Sequence, residues 1–173
     1  MKKQILKICG ILLTCISLPL QARSTEAIPD SVYNGLPFPM EKVVQPQFPD
    51  YKVCITDFGA TPDGKTLNTQ AINNAIATVS QKGGGTVVIP AGFWITGPIK
   101  LQSGVNLYTE RNAFVLFTED HSHYKKPNAP KHALSLSPIY ADNARNIAIT
   151  GHGVFDGNGN TWRMVKRSKL TAG

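Results

Sequence analysis

Four short apolar runs, at 86–89, 94–96, 105–107 and 112–117, follow one another with nothing but turn residues between them. They are rich in β-branched and aromatic residues and are punctuated by Gly85, Pro90, Gly97 and Gly104, which marks strands rather than helices. Parallel strands in an open sheet need a long crossover, commonly a helix, and no helical pattern separates these runs. A doubly wound sheet is therefore a poor fit. A chain that coils, each circuit stacking on the last, satisfies the spacing, because solenoid repeats take roughly 20–25 residues.

Just before these runs lies an amphipathic helix, predicted over 69–82. Ile72, Ala75, Ile76 and Val79 share one face at i, i+3, i+4, i+7 spacing. Asn68 is placed to cap its first turn, and Gly83 to stop it in the left-handed conformation. Upstream, 52–57 alternates as a short strand and 61–64 reads as a turn. Downstream, strands are expected at 138–140 and 146–150, and glycines in 151–160 supply tight corners. The polar, proline-punctuated segment 119–137 breaks the pattern and is expected to leave the solenoid as a loop, the usual location of functional residues on a rigid scaffold.

The first 22 residues read as a secretory signal: Lys2, Lys3 and Lys7, then an apolar run over 8–20, then the small Ala22. The run is shorter than the ~20 residues of a spanning helix, so stable membrane insertion is not expected and secretion, extracellular or periplasmic, is. Residues 23–51 form a proline-rich lead-in, and the coiled domain takes 52–173. Losing three signal lysines lowers the net charge from +7 to +4, a balance that suits an acidic partner such as a polyanionic polysaccharide. Nothing beyond charge points to nucleic acid. Cys9 and Cys15 leave with the signal, so Cys54 stands alone and is expected as a small buried residue.

The order DFGA, NTQAINNAI, GGGTVVIPAGFWITGPIKLQSGVNL and NIAITGHGVFDGNGNTW resembles the N-terminal portion of the polygalacturonase family of glycoside hydrolases, within the pectin lyase-like β-helix superfamily. The resemblance implies an all-β solenoid: a right-handed parallel β-helix with an N-terminal α-helical cap, here only its first coils. It also implies a pectin-degrading enzyme that hydrolyses α-1,4-galacturonosyl linkages with inversion, and needs no cofactor. Many relatives carry a second Trp after Trp162, where this chain has Arg163.

Inverting hydrolysis uses two carboxyl groups roughly 6.5–9.5 Å apart, one protonating the leaving oxygen and the other activating water. In the family those aspartates sit in Asn-Thr-Asp and Asp-Asp motifs, followed by Gly-His-Gly and Arg-Ile-Lys. None stands in its family position here, so no catalytic residue is assigned, the site is expected beyond Gly173, and this stretch alone is expected to be inactive. Asn68-Thr69-Gln70 lacks the aspartate, and His152 belongs to a turn. Asp57, Asp63, Glu110, Asp142 and Asp156 read as turn acceptors, and the adjacent Glu119 and Asp120 as solvated loop carboxylates. His121-Ser122-His123 lacks the further ligands zinc requires, so no metal site is assigned. Lys125, Lys126 and Lys131, together with the basic stretch from Arg163 to Lys169, are candidates for binding uronate carboxylates, with Lys125, Lys126 and Arg163 foremost. Two rivals remain: a non-catalytic carbohydrate-binding or adhesion β-helix, and a polysaccharide lyase.

Overall fold

The computed structural model describes residues 29–42, 45–126, 130 and 135–163. The expected signal, Lys131, and residues 164–169 of the basic stretch that begins at Arg163 lie outside them. The chain divides into two units, 1–43 and 44–173. Among its described residues the first unit holds a 3₁₀ turn, Asp30–Tyr33, followed by irregular chain in which Leu36, Phe38 and Met40 are exposed. Ahead of the first strand of the second unit, Tyr51 O accepts from Thr86 N and Gln47 O from Asn146 Nδ2.

Among its described residues the second unit is built from ten short strands: β1 (Lys52–Cys54), β2 (Asp63–Leu67), β3 (Gly85–Ile89), β4 (Gly92–Thr96), β5 (Ile99–Leu101), β6 (Val105–Thr109), β7 (Ala113–Phe117), β8 (Ile139–Ala141), β9 (Ala148–Gly151) and β10 (Val154–Asp156). The helix α1 (Thr69–Gln81) stands between β2 and β3. Three parallel sheets result, ordered β1-β3-β6-β9, β2-β4-β7-β10 and β5-β8, called A, B and C below. Successive strands of the chain visit different sheets, so each parallel partner is reached after one full circuit. This is a right-handed parallel β-helix. Gly85 pairs with Val105 and Gly92 with Ala113, a circuit of roughly twenty residues.

Identical registers stack side chains into columns. Inside sheet A, Val53, Val87, Leu107 and Ile149 lie in line; inside sheet B, Trp94, Val115 and Phe155 do. Trp94 is fully buried, and its indole N–H donates to Pro90 O at 2.8 Å, which satisfies its one polar atom. Burying side chains of this size contributes about 1.5–3 kcal/mol each. On the outer face of sheet B, Phe93 packs edge-on against Phe114, with ring centroids 5.3 Å apart.

The helix covers the free edge of β5. Its predicted apolar face, Ile72, Ala75, Ile76 and Val79, is fully buried. Asn73 then substitutes for a neighbouring strand: its Nδ2 donates to Pro98 O at 3.1 Å and its Oδ1 accepts from Lys100 N at 2.9 Å. Ser80 Oγ donates to Ser103 O at 2.8 Å. An edge with its backbone groups occupied does not template pairing with another chain. The helix stops as expected: Gly83, at φ +92°, allows Gly84 N to reach Val79 O and Gly83 N to reach Ser80 O, a Schellman motif.

Several local expectations need correction. Asn68 does accept the first helical bond through its carbonyl, from Ile72 N, but its side chain makes no cap. It is almost wholly buried and stitches the preceding loop together instead, accepting from Thr61 N and donating to Thr61 O, Thr66 O and Ile95 O. The strand expected over 52–57 ends at Cys54, because a 3₁₀ turn, Ile55–Phe58, comes next and Asp57 folds back to accept from Cys54 N. Cys54 is half-buried, its sulfur accepting from the Thr56 hydroxyl. The turn read over 61–64 leads straight into β2, which pairs with β4 despite its polar sequence. Of the glycines in 151–160 only Gly151 takes a positive φ, with Thr109 O so close that any Cβ would collide with it; Asn158 supplies the other left-handed corner. Between those corners lies β10, which glycine content concealed.

Candidate functional site

Sheets B and C meet at one corner of the coil, and there the third circuit opens into the long loop. Thr118 N donates to Thr96 O at 2.7 Å, extending the ladder by one residue beyond β7. Asp120 then turns the chain. Its carboxylate accepts from Ser122 N at 2.9 Å and caps a 3₁₀ turn, His121–Tyr124. The Ser122 hydroxyl and N–H hold the Asp120 carboxyl below the usual carboxylate range, with the His123 and His121 rings adding to the effect. His123 Nε2 lies 3.5 Å from Asp120 Oδ2.

Tyr124 anchors the loop. It is fully buried, its hydroxyl donates to Thr118 O at 3.0 Å, and burial pushes its pKa upward. Its carbonyl accepts from Leu136 N at 2.7 Å, which brings the returning limb alongside the outgoing one. In the next circuit the chain leaves β10 at the same corner. Asp156 Oδ1 accepts from Asn158 N at 2.8 Å, Asn158 turns left-handed, and a 3₁₀ turn, Gly159–Trp162, completes the corner.

The two corners meet through aromatic rings. His121 stacks on Trp162 with centroids 3.9 Å apart and planes 18° off parallel, while Tyr124 meets the same indole edge-on at 4.9 Å. His121 Nε2 also lies 3.5 Å from Thr161 Oγ1. Lys125, Lys126 and Arg163 come directly after these rings in sequence and are exposed. The expected binding candidates are therefore brought to one corner by an aromatic cluster. Sequence reading missed that cluster, although a tyrosine inside an otherwise polar loop was the available signal.

The other singled-out residues have local roles. His152 is exposed at the turn between β9 and β10, its N–H donating to Thr109 O. Asp63 accepts from Lys65 N, Thr66 N and the Thr66 hydroxyl, bonds that lower its pKa to about 2. Glu110 accepts from Ala91 N, and Asp142 from Asn143 Nδ2. The two loop histidines are engaged by Trp162 and Asp120. Among the described residues no group of three His, Cys, Asp or Glu side chains is placed to hold a metal ion.

A family profile described as rhamnogalacturonase A/epimerase, pectate lyase-like, matches residues 52–170. The chain belongs to that family. It is 33% identical to a probable polygalacturonase of Vitis vinifera over 126 residues, which is 65% of this chain and 26% of the relative. Among solved structures, the hyperthermoactive exopolygalacturonase of Thermotoga maritima aligns at 35% identity with a TM-score of 0.59, covering 66% of this chain and 27% of that one. A family 28 exopolygalacturonase of Yersinia enterocolitica aligns at 38% identity and TM-score 0.56, covering 64% and 21%. This member of the family thus spans about a quarter of the length of the relatives it matches. Membership agrees with the resemblance drawn from the motifs, and the aligned region contains the capped first coils.

Proposed function

We propose that this chain forms the capped first coils of a secreted polygalacturonase-type enzyme that hydrolyses α-1,4-galacturonosyl linkages of pectin with inversion. The observation that carries this reading is the alignment, at a third identity or more, with exopolygalacturonases that share the fold. The carboxylates at Asp57, Asp63, Glu110, Asp120, Asp142 and Asp156 are each engaged as a local acceptor, which supports scaffold rather than acid–base duty for them. In this reading Lys125, Lys126 and Arg163 attract uronate carboxylates, and the Trp162 corner holds them at a fixed edge of the coil. Arginine offers a bidentate fork and lysine a point charge.

Retention of the 173-residue chain on immobilised polygalacturonate tests the binding part. Lys125→Ala/Lys126→Ala should elute at clearly lower salt than the parent, and unchanged elution would remove those lysines from the proposal. Catalysis is checked by product chemistry. In a longer form carrying the Asn-Thr-Asp and Asp-Asp motifs, new reducing ends should appear without the ultraviolet absorbance of an unsaturated uronide. That absorbance would make the enzyme a lyase, and binding with no turnover would make it a carbohydrate-binding β-helix.

A further inference from the structure

At the aromatic corner, a side chain that joins two circuits is titratable. His121 is exposed, so protons reach it, and it lies face to face with Trp162 at 3.9 Å, the planes 18° apart. Its Nε2 faces Thr161 Oγ1, whose own hydrogen goes to Asn158 O at 3.0 Å. The hydroxyl oxygen therefore accepts, Nε2 donates, and Nδ1 is the nitrogen left to take up a proton. Two groups favour that proton. The π face of an indole attracts a cation, and a neutral imidazole forgoes that attraction. Asp120 is the adjoining anion, its carboxyl held below the usual range by the Ser122 hydroxyl and N–H and then by the His123 and His121 rings.

The other charged or titratable groups on and beside the two turns are Glu119, His123, Tyr124, Lys125 and Lys126 on one side, and Asp156 and Arg163 on the other. His123 lies 3.5 Å from Asp120, and Asp156 is engaged by Asn158 N. Tyr124 stays neutral where histidine titrates, since burial pushes its phenol further up. Glu119 is an exposed anion; Lys125, Lys126 and Arg163 are exposed cations whose opposing field solvent screens.

We propose that the His121–Trp162 stack is a pH-operated clasp between two successive circuits, tightened when the imidazole is protonated and eased when it is neutral. The sign follows from what the stacked ring touches. A protonated ring gains the indole face only while stacked, so acid favours the closed clasp, and pH rising from 5 to 8 releases it. A cation–π contact at an exposed site corresponds to about a two- to fivefold change in the closed-to-open ratio. Asp120 caps its own turn through Ser122 N without help from Trp162, so easing the stack separates the circuits and spares the turn. The clasp stands on the geometry of this corner and does not depend on the pectic reading.

Fluorescence of the 173-residue chain tests it. An imidazolium in contact with an indole takes an electron from its excited state and quenches it, and a neutral imidazole does so far less. Between pH 8 and 5, Trp162 emission, read as the difference between the parent and Trp162→Phe, should therefore fall. His121→Phe keeps an uncharged ring on the indole and should abolish the fall, whereas His123→Gln should keep it. Both histidines are exposed, and circular dichroism checks that the variants fold. Limited proteolysis near 119–126 gives the mechanical readout. Expressed relative to His121→Phe at the same pH, which cancels the protease's own profile, cleavage of the parent should be about two- to fivefold faster at pH 8 than at pH 5. Emission that is flat in pH overturns the clasp, as does a fall that survives in His121→Phe or vanishes in His123→Gln. A relative cleavage rate that stays level or drops as pH rises overturns it equally.

Discussion

Replacing Asn68 separates two accounts of one residue. As a helix cap, its loss to alanine would cost about 1 kcal/mol, and serine would be an equal substitute. In the structure its amide instead holds Thr61 N at 2.7 Å, Thr66 O at 2.9 Å and Thr61 O at 3.1 Å, and shares Ile95 O with its own backbone N–H. Each bond is worth about 1 kcal/mol net, more where its loss strands a buried group, so Asn68→Ala should destabilise by about 3 kcal/mol. For a domain of this size that is a fall in Tm of roughly 6–12 °C. Asn68→Ser is the decisive variant, because serine restores a cap but cannot span the loop. Urea unfolding followed by circular dichroism should place it close to alanine. A serine variant within about 0.5 kcal/mol of the parent would refute the network and reinstate the cap.

The two tryptophans should report separately. Trp94 is fully buried and Trp162 is 38% exposed, so Trp162→Phe should leave a single emission that iodide barely quenches; ready quenching would contradict the packing of sheet B. The same region gives a mechanical test, since Trp162→Ala removes the ring holding His121 and should speed proteolytic cleavage near 119–126. Asp63 carries a sign that can be checked by pH. Its folded pKa, about 2, lies below the ordinary 3.8, so its contribution is fully present above that ordinary value and is lost as pH falls toward 2. Urea midpoints measured from pH 5 to 2 should therefore fall less steeply in Asp63→Asn than in the parent.

The helix was legible because its four apolar positions repeat with the helical period and all four are buried, and because a glycine pair ends it. The strands β3, β4, β6 and β7 were legible from β-branched and aromatic runs between turn residues. The short strand β2 was not, since Asp63–Leu67 has no alternation and its pairing with β4 is what makes it a strand. β5 and β10, three residues each, are too short for any pattern to declare them and are defined by partners forty residues away in the register. At the candidate site, the basic side chains could be read one by one. Their assembly could not, because the stack of His121 on Trp162 joins two successive circuits, and adjacency between circuits is a property of coil length rather than of any local pattern.

The long loop enters the third circuit without disturbing the strands beyond it: Phe114 still meets Val154, and Ile99 still meets Ile139, as if the inserted chain were absent. A coil therefore separates two kinds of change. Lengthening a strand by one residue would turn the rest of that strand's side chains inside out, whereas lengthening this corner leaves the core untouched. Each doubling of such a loop costs only about 0.6 kcal/mol of closure entropy. Descent can thus rewrite the rim while copying the wall, and grafting loops of different length at this corner is a route to new surfaces on an unchanged frame.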